Sequence, residues 1–157
     1  MSTNRELEVK IADFGLATLT PSNPFQMFYD KCGTPCYIAP EVLREIGYRE
    51  KADIFSLGST FFNIVSGFYL FYSKDVSKQI KNNTECNLGN IDECLGDCSL
   101  PCRDLLLKML IDNPEGRPTA KQALLHPWFS EDKYIIEDLL VLNREVANNV
   151  TDANLLL

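Results

Sequence analysis

The sequence predicts a mainly α-helical domain with one short β-strand near its N-terminus. One segment alternates apolar and polar residues, whereas about six segments place apolar residues three and four positions apart, which is the spacing of helices. The chain has 157 residues, enough for one domain or for part of a larger one. Apolar residues make up 45% of it and charged residues 24%, a composition that excludes a mainly disordered or collagen-like protein.

The net charge and the hydropathy of the chain argue against nucleic acid and membrane as partners. The net charge of −7 leaves no basic surplus to displace the counterions of a nucleic acid. The first ten residues are polar and charged, which argues against a secretory signal. The most apolar stretch, 61–72, is too short and too polar to cross a bilayer, which needs about 20 residues. We therefore expect a cytoplasmic protein that binds neither nucleic acid nor membrane and keeps its cysteines as reduced thiols.

The first element in the chain is the strand, over residues 7–12, where Leu7, Val9 and Ile11 alternate with polar or small residues. It ends at the triplet 13–15, whose glycine permits a sharp change of direction. Residues 16–37 are rich in Pro, Ser, Thr and Asn and predict a long loop. Long loops inside compact domains are usually functional.

The first two predicted helices follow this loop. Residues 40–45 form a short helix with Pro40 in its first turn. Residues 53–66 form the strongest helix of the chain, with Asp53 as its N-cap and Gly67 at its end. Its apolar side chains cover almost the whole circumference, so we expect it to be buried at the centre of the core.

Three further features follow. Ser73 is placed to cap another helix. Residues 82–99 are polar and predict a loop, and residues 102–111 and 119–125 carry helical patterns.

Several short motifs occur in a characteristic order. Asp13-Phe14-Gly15 follows the strand and opens the loop, and Ala39-Pro40-Glu41 closes it. In this order and separation the two triplets resemble the activation segment of a eukaryotic protein kinase. Further matches are the central buried helix at 53–58 and the end of the domain at 117–120 and 126–129. The resemblance covers about residues 7–129 and is nearest to the C-terminal lobe (C-lobe) of Ser/Thr kinases of the calcium/calmodulin-dependent group.

The resemblance implies a cofactor site at Asp13, Phe14 and Gly15. Asp13 would hold Mg²⁺ against the phosphates of ATP, because phosphoryl transfer needs a metal that bridges and neutralises phosphate oxygens. ATP and Mg²⁺ are therefore the cofactors implied for a complete domain. Taken alone, Asp13 would be read as a turn residue before the glycine.

The resemblance also implies a substrate-docking segment, formed by Gly33, Thr34, Pro35, Cys36 and Tyr37. A threonine at the position of Thr34 is typical of Ser/Thr kinases, in which it supports the catalytic aspartate, whereas tyrosine kinases differ here. The alternative reading is a plain Gly-Thr-Pro turn. Protein substrates are the partners that follow from the first reading.

Three residues match structural positions of the family. Glu41 and Arg117 match a buried ion pair between the activation segment and the last helices, and we expect their side chains to meet. Asp53 matches a carboxylate that accepts backbone N–H groups of the catalytic loop, in addition to its role as a cap.

One position suggests regulation. Many kinases are switched on by a phosphate that pairs with basic residues and orders the activation segment. Asp30 lies two residues before Cys32, where relatives often carry the phosphorylated threonine. The resemblance therefore implies a fixed negative charge at Asp30 in place of a regulated one.

Other parts of the family pattern are expected outside the chain. The Gly-rich loop, the strand lysine and the catalytic loop with its base precede the Asp-Phe-Gly triplet, and twelve residues precede Asp13. We expect no catalytic residue within the chain and no phosphate transfer by the chain alone. We also expect the helix over 53–66 to expose an apolar patch, since helices that precede the catalytic loop would normally cover it.

The sequence thus predicts a mainly α, kinase-like C-lobe fragment with a short N-terminal strand, divided into a partial kinase domain, 1–129, and an acidic, partly amphipathic tail, 130–157. The tail is predicted to pack as a helix or to form a partially ordered end. The leading functional hypothesis is part of a Ser/Thr kinase that transfers the γ-phosphoryl of ATP to proteins. The alternatives are a non-catalytic kinase-like binding module and one half of a split kinase completed by the missing kinase portion as a separate chain.

Overall fold

A computed structural model describes residues 10–89, 91–96 and 98–129 of the chain. Its α-helices are α1 (Pro40–Leu43), α2 (Lys51–Ser66), α3 (Val76–Thr84), α4 (Ile91–Cys94), α5 (Leu100–Met109) and α6 (Ala120–Leu124). Short 3₁₀ turns occupy Phe14–Leu16, Pro114–Gly116 and Pro127–Phe129. The prediction of a mainly α fold is confirmed. Within the described residues, no helix combines the length and the hydropathy that crossing a membrane requires.

The predicted N-terminal strand is not seen in the part of it that the structure describes. Residues 1–9 lie outside the described ranges, and residues 10–12 have no regular secondary structure. A strand requires a neighbouring backbone that takes up its N–H and C=O groups. In the described part of the chain, strand-like pairing is confined to one antiparallel bridge between Phe28 and Tyr48.

Helix α2 begins two residues before the predicted start. The N–H groups of Ala52 and Asp53 already bond to the carbonyls of Arg49 and Glu50, at 3.0 and 3.2 Å, so the first turn needs no side-chain cap. The prediction of Asp53 as the N-cap is therefore wrong. Asp53 lies inside the first turn, where a negative charge is favourable to the helix dipole. The helix ends at Gly67 as predicted, with φ at 75°.

The core forms where α2 packs against α5. Phe55 on α2 and Leu106 on α5 are fully buried. Gly58 allows the close approach of the two helices, because a Cβ atom at this position would lie 2.9 Å from the Cβ of Met109. The main apolar cluster extends from this contact to α1 and to the segment after α2.

The opposite face of α2 is not covered by described residues. Leu57 and Ile64 are 57% and 75% exposed, so the expectation that the whole circumference is buried is wrong for this face. Together with α5, α6 and the last 3₁₀ turn, this face forms an open apolar groove of about 350 Å³. It is lined mainly by Ile54, Leu57, Phe61, Ile64, Leu105, Met109, Trp128 and Phe129. The predicted exposed apolar patch is therefore present, and we call it the α2 groove.

The later helix starts also differ from prediction. Asp75, not Ser73, caps α3, because its carboxylate accepts the N–H groups of Ser77 and Lys78. Helix α5 begins two residues before the predicted start, after its N-cap Ser99. The short helix α4 lies inside the range predicted as a loop, and the predicted helical tail, 130–157, lies outside the described residues.

Candidate active-site surface

The first site feature is the turn at Asp13. This residue has φ 63° and ψ 75°, in the left-handed region that few non-glycine residues adopt. Its Oδ1 atom accepts the N–H of Gly15 at 3.3 Å, and the side chain is exposed. Unusual backbone conformations of this kind cluster at functional sites. Phe14 is 68% exposed beside it.

The donor set at this turn fits Mg²⁺ in part. Mg²⁺ takes six oxygen ligands and usually keeps several waters, with one or two carboxylates and phosphate oxygens supplying the rest. Asp13 offers one such carboxylate, and the described residues contain no group of three or more His, Cys, Asp or Glu side chains that could hold a metal. Asp13 could therefore serve as one ligand of a shared site, in which phosphate oxygens and waters would supply the others.

The segment 33–37 forms a firmly held platform with an exposed edge. The hydroxyl of Ser59 on α2 donates to the carbonyl of Cys36 at 2.5 Å. The carbonyl of Thr34 accepts the N–H of Tyr37 at 3.1 Å, which closes a tight turn. Cys36 is buried, and burial raises the pKa of its thiol. Thr34 and Pro35 face solvent at the top of the turn.

The side chains of Glu41 and Arg117 meet in the core. The guanidinium donates to the two carboxylate oxygens of Glu41 at 2.6 and 2.7 Å, and both side chains are almost completely buried. The remaining guanidinium donors bind backbone carbonyls, those of Ile111 (2.7 Å), Lys51 (3.0 Å) and Asp112 (2.8 Å). Arg117 also lies 4.8 Å from the ring centre of Phe55. The pair thus ties α1, the start of α2 and the turn after α5 together.

Two neighbouring residues, Tyr48 and Arg49, hold the long loop by hydrogen bonds, and no sequence motif indicated either of them. Tyr48 exchanges two backbone hydrogen bonds with Phe28, at 2.9 and 3.0 Å, and its hydroxyl donates to the carbonyl of Asp30 at 2.9 Å. Burial, reinforced by the Cys32 thiol, raises the pKa of Tyr48 to about 12. Arg49 donates to three carbonyls earlier in the loop. Ser59, beneath the platform, was also missed.

The two remaining predicted carboxylates are exposed. Within the described residues, the side chains of Asp30 and Asp53 show neither a hydrogen bond nor an ion pair. The basic neighbour of Asp30, Lys31, instead pairs with Glu45 at 3.1 Å. The structure therefore brings Glu41 and Arg117 together, and it leaves the carboxylates at 30 and 53 available to partners outside the described part.

Comparison with known proteins identifies the family. The sequence profile described as "Protein kinase domain" matches residues 1–129, which is most of the chain. The chain belongs to the protein kinase family. The turn at Asp13, the platform at 33–37 and the ion pair of Glu41 and Arg117 all lie within the matched range.

The relatives are Ser/Thr kinases. The chain is 39% identical over 126 residues to "Probable serine/threonine-protein kinase 2" of Plasmodium falciparum, covering 80% of this chain and 24% of that protein. It is 34% identical to "Myosin light chain kinase A" of Dictyostelium discoideum, covering 83% and 44%. It is 33% identical to "Calcium/calmodulin-dependent protein kinase type I" of Schizosaccharomyces pombe, covering 90% and 42%. The chain thus spans less than half the length of these relatives, and the predicted similarity to the calcium/calmodulin-dependent group is confirmed.

Proposed function

We propose that the chain is the C-lobe portion of a Ser/Thr protein kinase that transfers the γ-phosphoryl of ATP to protein hydroxyl groups. The observation that carries this proposal is the platform at 33–37. The hydroxyl of Ser59 on α2 holds the platform by a hydrogen bond, and the ion pair of Glu41 and Arg117 holds the helix that follows it. Thr34 remains exposed. Phosphoryl transfer depends on positioning, so a rigid segment with an exposed edge suits a docking site for a protein substrate.

Asp13 is the proposed metal ligand, and Phe14 and Gly15 shape its turn. Mg²⁺ bound there would bridge and neutralise the phosphate oxygens of ATP. The chain's own contribution is to hold an exposed carboxylate in a fixed orientation, through the hydrogen bond from Gly15 and the left-handed backbone of Asp13. Asp30 is proposed as the fixed negative charge of the activation segment, and Asp53 as an acceptor for the catalytic loop.

The catalytic base and the nucleotide pocket are proposed to come from residues outside the printed sequence. A positioned base contributes about 10²–10⁴-fold to rate, so the chain alone is proposed to be inactive. The α2 groove supports this division, because exposed apolar surfaces of this kind mark interfaces. We propose that the rest of the kinase domain packs there. The division into a domain, 1–129, and a tail, 130–157, and a cytoplasmic location belong to the same proposal.

The α2 groove also supports the two other candidates. A separate chain could fill it and complete a split kinase, or the groove could bind a partner in a non-catalytic module. The three differ in what restores activity: a longer translation product, a second polypeptide, or nothing.

The test is phosphate transfer by the longest protein encoded by the transcript that carries this sequence. With Mg²⁺ and ATP, we expect transfer to Ser or Thr peptides, and we expect Asp13→Asn to lower it at least 10²-fold because the metal loses a carboxylate. The matched control is Asp92→Asn, which changes an exposed aspartate that pairs with Arg103. Full activity of Asp13→Asn would contradict the proposed metal site. Absence of transfer by the unaltered protein, with or without a second chain, would favour the binding module.

A further inference from the structure

Arg49 holds the long loop through its backbone. Its guanidinium donates to the carbonyls of Pro21, Asn23 and Gln26, at 3.3, 3.0 and 2.8 Å. A fourth donor, Nε, bonds to the carboxylate of Glu50 at 3.3 Å. The Arg49 side chain is only 21% exposed. One side chain therefore gathers three carbonyls that lie 23 to 28 residues earlier in the chain.

Tyr48 continues the same attachment. It pairs with the backbone of Phe28 and donates its hydroxyl to the carbonyl of Asp30. Residues 48 and 49 thus hold the loop from residue 21 to residue 30, just before the platform at 33–37. All of the loop's acceptors in these contacts are backbone carbonyls, so the attachment requires no charged or phosphorylated side chain in the loop.

We propose that Arg49 is a positioning residue that orders the activation segment and thereby presents the substrate-docking platform. This inference rests on the proposed function. In kinases that are switched on by phosphorylation, a phosphate in the loop pairs with basic residues elsewhere and orders it. Here Arg49 binds backbone carbonyls of the loop, so the loop is ordered without phosphorylation. Arg49 contacts neither the proposed metal ligand nor the exposed edge of the platform.

The choice of arginine has a physical reason. The planar guanidinium presents five donors in a fixed arrangement and can bind several carbonyls at once. A lysine ammonium at the end of a flexible stem would keep the charge but not this geometry. We therefore expect Arg49→Lys to keep part of the loop order and Arg49→Ala to lose it.

The first experiment measures hydrogen exchange in the full 157-residue chain. Hydrogen bonds from a charged donor are among the stronger ones, so Arg49→Ala should speed exchange of the amides at 21–31 by about tenfold or more, and Arg49→Lys by less. Amides in the middle of α2 and α5 should be unchanged, which separates loop release from unfolding. Arg103→Ala, which removes another partly exposed arginine from a salt bridge, is the control. Unchanged exchange at 21–31 in Arg49→Ala would overturn the inference.

The second experiment uses the transfer-competent protein. If Arg49 positions the platform, Arg49→Ala should raise the KM for a protein or peptide substrate about tenfold while the KM for ATP stays the same, and Arg49→Lys should restore part of the loss. A faster-exchanging loop with an unchanged substrate KM would show a purely structural role and overturn the inference. Failure of the unaltered protein to transfer phosphate, with the exchange result as expected, would defeat the proposed function and leave the ordering of the loop by Arg49 standing.

Discussion

Replacing Arg117 with methionine should cost about 3–5 kcal/mol of unfolding free energy, the usual range when one partner of a buried ion pair is removed. The structure accounts for the size of this loss. The Arg117 side chain has 0% exposure, so water cannot replace it beside the Glu41 carboxylate. The substitution would also remove the hydrogen bonds that the guanidinium donates to three backbone carbonyls. Single domains are typically stable by about 5–15 kcal/mol, so this is a large share of the total.

Urea unfolding followed by circular dichroism measures this loss. With a slope of about 1–3 kcal/mol per molar urea, the midpoint should fall by about 2 M. A second variant, Glu41→Leu in the Arg117→Met background, should regain part of the stability because it removes the uncompensated charge. The control is Lys31→Ala, which breaks an exposed pair with Glu45 and should change stability by at most about 1 kcal/mol. A loss in Arg117→Met no larger than in this control would refute the reasoning.

Two further predictions concern ionisation. Hydrogen bonds from Lys108 and from His126 lower the pKa of Asp104 below its ordinary value of 3.8. The ionised Asp104 carboxylate therefore contributes its full stability to the folded state above pH 3.8, and this contribution is lost as the pH falls through the lowered pKa. The difference in melting temperature between the natural chain and Asp104→Asn should therefore become smaller at acid pH. A difference that increases as the pH falls would contradict this prediction. Burial raises the pKa of the Cys86 thiol to about 11, whereas Cys94 is exposed. A thiol reagent at mildly alkaline pH should therefore label Cys94 before Cys86, and peptide mapping would identify the labelled residue. Labelling of Cys86 before Cys94 would contradict this prediction.

The sequence was sufficient for the features that depend on local pattern and on the family motifs. Helix α2 ends at Gly67 because a glycine adopts the left-handed conformation that closes a helix. Glu41 and Arg117, 76 positions apart, could be paired because both lie in recognisable motifs. The exposed face of α2 could be anticipated because the family resemblance implies that the helices covering it precede the catalytic loop.

The remaining features depend on contacts that no local pattern contains. Asp53 is a favourable N-cap residue by type, yet the turn at Arg49 and Glu50 already satisfies the backbone at the start of α2. Arg49 and Tyr48 resemble ordinary loop residues in the sequence. Their role follows from backbone carbonyls that the fold brings to them from the loop, at 21–30.

The most direct test of the account is phosphate transfer from ATP by the 157-residue chain, alone and after addition of the nucleotide-binding portion of the kinase. We expect no incorporation into Ser or Thr peptides by the chain alone, since the proposed metal ligand and docking platform act only together with a nucleotide pocket and a base that we propose other residues supply. We expect incorporation that depends on Asp13 once the other portion is supplied. Mg²⁺-dependent transfer by the purified chain alone would contradict the account.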